Sequence, residues 1–414
     1  MNHSQNKRKM ELNSVEIWDG NAANAQALRQ AGVDVVSAYP ITPSTGTVEG
    51  YATHHANGYV DGEIVMVESE HAAMSGCIGA SAAGARAATA TASQGLALMV
   101  ETLYQASGMR TPIVLCLVNR ALAAPLNVNG DHSDLYLTSQ TGWISLDSCN
   151  PEEAYDMTIC AFKIGEHQDV RLPVISNQDG FMTSHTAQNV HPLSDDVVSD
   201  FIGEFKEVNS LLNFDNPVTH GVQTESDWHM EHKAKQNDAM MKSPKVIEEV
   251  FAEYEKISGR KYNLVEDYML DDAEIVIACL GTTFETAQIA VDKMREEGIK
   301  AGVVMPRLFR PFPMDKIAAK LQNVKAVVCL DRSAPGGTTG LLFNDISSSL
   351  INTNARPQMT NVIYGLGGRD MTIVDLCEIY KYSQEEVNNG KLNGGIQRWV
   401  GVRGPELKYY SVEG

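Results

Sequence analysis

Four short stretches of this sequence put polar side chains at the ends of apolar, strand-like runs, where open α/β sheets collect their chemistry. The first, "YPITP", follows the run from Val33 to Ala38. Its two prolines bracket Ile41 and Thr42, and because proline fixes its own backbone angle the turn is stiff. A turn that only reverses direction has little need of such stiffness; one that holds the Thr42 hydroxyl in place, next to Tyr39, does. The second, "VESEH", offers Glu68, Glu70 and His71. The third, "ASQG", offers Ser93 and Gln94. The fourth ends on Asn119 and Arg120 and opens a polar loop that passes Asn127 and reaches His132, Ser133 and Asp134. If the strands are parallel, all four lie on one rim. A hydroxyl, a carboxylate, a guanidinium and an imidazole there suit an anionic substrate.

Each of these residues has a structural alternative. Glu68 and Glu70 point to opposite faces if one strand runs through both, which would leave one as a salt-bridged surface acid. Arg120 could clamp the loop 121–140, Thr42 could form a turn, and Ser93 and Gln94 could cap the helix after them. His132 and Asp134 could be loop hydrogen-bonders.

The elements that must position these residues alternate short β-branched runs with helical stretches, the pattern of parallel α/β sheets. It implies two doubly wound parallel-sheet domains. A tail, 1–15, precedes a first domain at 16–190. An acidic connecting segment, 191–268, carries one clear helix, "SPKVIEEVFAEYEKIS". A second domain follows at 269–390, and a tail closes the chain at 391–414. In the first domain the run from His71 to Ala85 is rich in alanine and carries Gly76, Gly79 and Gly84. A helix so small in side-chain volume can approach another backbone closely, whether its own sheet, a cofactor or a second subunit.

The 414 residues are 43% hydrophobic and 21% charged, the balance of an ordinary globular protein, with a net charge of −19. Such an acidic chain is a poor partner for nucleic acid or an anionic membrane, and it would repel an acidic redox protein, so any such partner should dock on another chain. The polar start lacks the apolar core of a signal peptide, and cytoplasmic residence is the expectation. The seven cysteines are scattered with no CxxC, so neither a zinc ribbon nor an iron–sulfur cluster is encoded, and no metal ligand set is expected. GxGxxG after a strand, GxxxxGK[ST], GxSxG and HExxH are all missing. So is the GDG followed by Asn-Asn that holds the metal and diphosphate of thiamine diphosphate.

"AYPITPST", "VESEHAAMSGCIGASAAGAR", "TASQGLALMVETLYQASG", "RTPIVLCLVNRALAAPLNVNGDHSD", "QTGWI" and "LPVISNQDGFMTSH" occur in this order. Together they resemble the α-subunit of the pyruvate:ferredoxin oxidoreductase family, the thiamine-dependent, CoA-acylating 2-oxoacid oxidoreductases. "PRLFRPFP" and "LDRSAPGG" resemble the family's second domain, which is similar to transketolase C-terminal domains. The resemblance runs from Gly20 to Glu378 and implies a pyrimidine-type thiamine domain followed by a transketolase C-terminal-like one. It implies that Glu70 bonds the aminopyrimidine of thiamine diphosphate, with Ser93, Gln94 and Tyr39 beside the cofactor. Thr42 and Arg120 would hold the substrate carboxylate, the latter with a fork suited to a bidentate grip, with Asn127 and His132 near the substrate. In split members a β-subunit carries the Mg-diphosphate motif and the iron–sulfur clusters, with γ- and δ-type chains beside it. CoA is co-substrate, and ferredoxin, or NAD through another subunit, takes the electrons. A non-catalytic scaffold or regulatory subunit is the alternative. No basic residue lies between Ser37 and Gly50, which disfavours dicarboxylic substrates. Pyruvate and branched-chain acids fit, and the small Val128 leaves aryl 2-oxoacids such as phenylglyoxylate open.

Overall fold

A computed structural model describes residue 8 and residues 10–403. The expectations for the outer parts of the two tails lie outside the described residues.

The first sheet has seven strands. From one edge to the other they are Leu308–Arg310, Ile144–Ser148, Val174–Asp179, Val114–Asn119, Ala87–Thr91, Val35–Ala38 and Glu63–Met66. All run parallel except Leu308–Arg310. The second sheet has six, in the order Gln397–Trp399, Gln358–Ile363, Ala326–Asp331, Ile275–Ala278, Ala301–Met305 and Glu266–Tyr268, with only the last antiparallel. A small antiparallel pair, Glu16–Trp18 with Gln188–Val190, closes the first domain.

These pairings move three expected boundaries. "PRLFRPFP", placed with the second domain, supplies the strand that pairs with Ile144–Ser148 of the first sheet. The connecting segment ends in Glu266–Tyr268, which joins the second sheet, and Gln397–Trp399 of the closing tail joins its far edge. The central strands of both sheets are buried because helices cover both faces, whereas the edge strand Glu63–Met66 is largely exposed. On one side of the first sheet the helices Gly20–Gln30, Pro151–Glu166 and Ser226–Ser258 bury Leu28, Phe162, Val250 and Tyr254 in a common core. On the other side the helices Glu70–Ala83 and Ser93–Gly108 bury Met74, Met99 and Leu103. That core runs on without a break into Val276, Leu342 and Phe343 of the second domain. The two sheets therefore share an apolar core, and the domain junction is packed like an interior.

The small-residue helix Glu70–Ala83 divides its glycines by face. A side chain at Gly76 would meet Ser37 Oγ at 2.7 Å, so this position lets the helix lie close on its own sheet. Gly79 faces open space. Among the described residues no helix is long and apolar enough to cross a membrane.

Candidate active site

The four stretches do meet on one rim, because the strands Val35–Ala38, Glu63–Met66, Ala87–Thr91 and Val114–Asn119 are parallel and end together. The strand before Glu70 stops at Met66, so the alternation expected for Glu68 and Glu70 does not apply. Ser69 caps a helix instead, its hydroxyl accepting the Ala72 N–H at 3.1 Å, and Glu70 is the first helical residue. Glu68 is exposed, whereas Glu70 is only 7% exposed. Its carboxylate lies against the first turn of the helix Ser93–Gly108. A methyl group on Gly95 would fall 2.6 Å from both Glu70 Oε1 and Thr91 Oγ1.

Ser93 does not cap that helix; Ala92 holds the cap position and Ser93 begins the helix with φ +50°, a left-handed angle for a side-chain-bearing residue. Its hydroxyl donates to the Ala121 carbonyl at 2.6 Å and also reaches the half-buried Gln94 amide. Its N–H donates to Asp134 Oδ2 at 2.8 Å, and the Arg120 N–H donates to the same oxygen at 2.9 Å. The other oxygen accepts from Asn119 Nδ2 and from the Leu135 N–H. Burial pushes the Asp134 carboxyl up to about 7, against the pull of those N–H donors.

Arg120 is 7% exposed. It donates through Nη1 to the Thr42 carbonyl at 3.0 Å and through Nε to the Asn127 carbonyl at 3.1 Å. The stiff turn thus meets Arg120 through its main chain, and the Thr42 side chain stays exposed, as does Tyr39. Pro43 is anchored from behind by Asn21, whose amide donates to its carbonyl at 2.9 Å.

Among the described residues, no hydrogen bond or ion pair reaches the Glu70 carboxylate, and no carboxylate pairs with Arg120. The Thr91 hydroxyl beside Glu70 is buried and unpartnered too. A buried charge without a counter-charge is costly. Here Glu70 and Arg120, of opposite sign, stand on one rim, each with hydrogen-bonding capacity that the described residues leave unused.

Family models match most of the chain. The one described as pyruvate flavodoxin/ferredoxin oxidoreductase, thiamine diP-bdg, matches residues 26–252, and pyruvate:ferredoxin oxidoreductase core domain II matches 273–376. The chain belongs to the pyruvate:ferredoxin oxidoreductase family, as an α-subunit. It is 45% identical over 384 residues to pyruvate synthase subunit PorA of Thermotoga maritima, covering 93% of this chain and 97% of that one. It is 40% identical over 384 residues to ketoisovalerate oxidoreductase subunit VorA of Pyrococcus abyssi, covering 92% and 96%. The fold matches that of a 2-oxoglutarate:ferredoxin oxidoreductase from Magnetococcus marinus, with TM-score 0.69 at 22% identity, over 91% of this chain and 66% of that one.

Two of the expected substrate contacts of this family member sit at the domain junction. Asn127 Nδ2 donates to the Gly367 carbonyl at 3.0 Å. His132 is buried, with Nε2 2.7 Å from Asp179 Oδ1, and its main-chain N–H donates to the Arg332 carbonyl at 2.7 Å. Burial opposes charging His132, but the Asp179 carboxylate outweighs it and raises the pKa. Asp179 is depressed in turn, since His132 and Arg332 overcome its burial. Asp134 stands in the sequence as one acid of a polar loop; only its four donors, from three different segments, mark it as the hub of the rim.

Proposed function

We propose that this α-subunit, with its partner chains, oxidatively decarboxylates a 2-oxoacid, pyruvate in the first instance. With CoA the products are acyl-CoA and CO2, and two electrons and a proton leave. The observation that carries this is the pair of buried, uncompensated charges, Glu70 and Arg120, on one rim. Arg120 has Nη2 left over from its two main-chain bonds, and the guanidinium is the group to receive the substrate carboxylate, with the exposed Thr42 hydroxyl beside it. Glu70 would hold a proton on a ring nitrogen of the cofactor, and its burial beside Gly95 supports this by limiting the water that could compete for its oxygens. Thiamine diphosphate, when bound, supplies the nucleophilic carbon and the electron sink for decarboxylation. Ser93, Gln94 and Tyr39 line the same rim and are the cofactor's further neighbours in this chain.

The diphosphate and its Mg2+ belong on a β-subunit, because this sequence has no GDG…Asn-Asn signature, and the iron–sulfur clusters belong on partner chains because its cysteines are scattered. γ- and δ-type chains complete the complex. Those clusters would take the electrons one at a time and pass them to ferredoxin, or to NAD if a flavin subunit is present. The setting is cytoplasmic. Among substrates, the relatives named for pyruvate and ketoisovalerate support short aliphatic acids; an aryl acid such as phenylglyoxylate rests on Val128 alone, which is exposed in its loop.

Glu70→Gln in the assembled complex should lose at least ~10²-fold in turnover, the scale of a general acid–base contact. Arg120→Ala should raise the 2-oxoacid KM. A scaffold or regulatory subunit would instead show weaker assembly with both constants unchanged.

A further inference from the structure

The geometry points to Asp134 as a positioning residue that sets the distance between the two charged groups of the site. Its carboxylate is fully buried and pairs with no cation among the described residues; it is balanced by N–H donors alone. Oδ2 takes the main-chain N–H groups of Ser93 and Arg120, at 2.8 and 2.9 Å. Oδ1 takes Asn119 Nδ2 at 3.0 Å and its neighbour's Leu135 N–H at 2.7 Å. Three rim segments therefore end on one side chain.

What those segments carry gives the arrangement its consequence. Ser93 starts the helix whose Gly95 lies against Glu70, and it does so in a left-handed conformation that a serine does not hold unaided. Arg120 carries the guanidinium. Asp134 Oδ2 thus ties the backbone packed against Glu70 to the backbone that seats Arg120, and neither bond involves the charged ends themselves. Asparagine has the same shape but one oxygen. Whichever way its amide lies, an NH2 group faces two N–H donors, and one pair of anchors is lost. Loss at Oδ2 frees Arg120 and Ser93 directly; loss at Oδ1 frees Asn119, the residue before Arg120.

This inference rests on the proposal that Arg120 receives the 2-oxoacid carboxylate, and the test separates the two. In the assembled complex, Asp134→Asn is expected to raise the KM for pyruvate about tenfold while the KM for CoA stays within about twofold. A general loss of folding would move both. On an Arg120→Ala background the same substitution should add little, because its effect passes through Arg120. Should Asp134→Asn fail to assemble, Asn119→Ala removes a single donor and is expected to shift the pyruvate KM in the same direction by a smaller factor. If Arg120→Ala raises the pyruvate KM but neither Asp134→Asn nor Asn119→Ala does, or if Asp134→Asn adds fully to Arg120→Ala, this inference is overturned. If Arg120→Ala itself leaves the pyruvate KM unchanged, the proposed function falls, and this inference with it.

Discussion

Gly95 is the position where the placement of Glu70 can be tested by kinetics. It lies in the first turn of the helix Ser93–Gly108, where alanine is favoured over glycine by about 0.5–1 kcal/mol of helix propensity. Yet a methyl group there would stand 2.6 Å from Glu70 Oε1 and Thr91 Oγ1, and 2.8 Å from Glu70 Cγ. Ordinary contact begins at about 3.5 Å, so something must give by roughly 0.9 Å. Thr91 is β-branched on a buried strand and yields poorly. Glu70 is long and unpaired, and it moves. A misplacement of about 1 Å at a reacting group costs on the order of 10²-fold in rate. Gly95→Ala should therefore cut turnover of the assembled complex about 10²-fold, and because Thr91 yields poorly it should also cost about 1–3 kcal/mol of stability, lowering the thermal midpoint by several degrees. The pyruvate KM should hold within about threefold, since Arg120 is untouched. Steady-state kinetics beside a melting curve reads all three. Full turnover, whatever the melting temperature, would refute the placement of Glu70.

Two further outcomes concern the domain junction. Asp179→Ala strips His132, Arg332 and Thr282 of their shared acceptor, and breaking a buried pair from one side costs about 3–5 kcal/mol. A clear fall in the melting temperature of the complex is the expected reading, and no change would mean that water replaces the carboxylate. The same pair sets a pH window. His132 has a raised pKa, so its contribution is complete below about 6.5 and fades as pH rises through the higher folded value. Asp179 is depressed, so its contribution is complete above about 3.9 and fades only as pH falls through the lower folded value. The advantage of the natural chain over His132→Gln in a melting assay should shrink on the alkaline side; a constant difference from mildly acidic to alkaline pH would contradict the pairing. Gly367 has φ +59°, and a side chain there would collide with Asn127 Nδ2. Gly367→Ala should cost about 1–2 kcal/mol from the left-handed backbone alone and raise the pyruvate KM by disturbing the loop that leads from Arg120. An unchanged KM would uncouple that loop from the site.

The alternation of apolar runs with helical stretches was enough to place both sheets, because strands such as Val114–Asn119 and Ile275–Ala278, covered on both faces, are mostly apolar. What escaped it depended on contacts distant in the chain. Leu308–Arg310 looks like part of the second domain until its partner, Ile144–Ser148, is seen. The helix expected to start at "SPKV" begins at Ser226 and runs through Pro244 to Ser258. Proline there removes the N–H that would bond the Met240 carbonyl, which normally ends a helix; the Ser243 hydroxyl donates to that carbonyl instead, at 2.8 Å. At the site, residue types brought out the rim, and the family resemblance singled out Glu70 and Arg120 on it. They could not reveal that Thr42 meets Arg120 through its carbonyl, or that Asn127 and His132 hold the second domain.

The second domain has a ligand crevice of its own, and the first domain fills it. In its sheet the strand Ile275–Ala278 lies between Ala301–Met305 and Ala326–Asp331, so the strand order reverses between Ile275–Ala278 and Ala326–Asp331. The carboxyl ends of strands at such a point are where open α/β sheets bind ligands. Here Asp147 Oδ2 accepts the Gly281 N–H at 2.6 Å, and Asp179 Oδ2 accepts the N–H and hydroxyl of Thr282 at 2.9 and 2.6 Å. Arg332 stands 3.3 Å from the other Asp179 oxygen, and a side chain at Gly281 would collide with the same carboxylate at 2.5 Å. Two internal carboxylates thus occupy the place of an anionic ligand. The loop between Arg120 and Asp134 is held in the same way, with Gly367 bonded to both Asn127 and Asp131 and the Arg332 carbonyl to His132. A domain used as a clamp explains why this chain keeps a second doubly wound sheet while the two unpaired charges of the rim, Glu70 and Arg120, lie on the first.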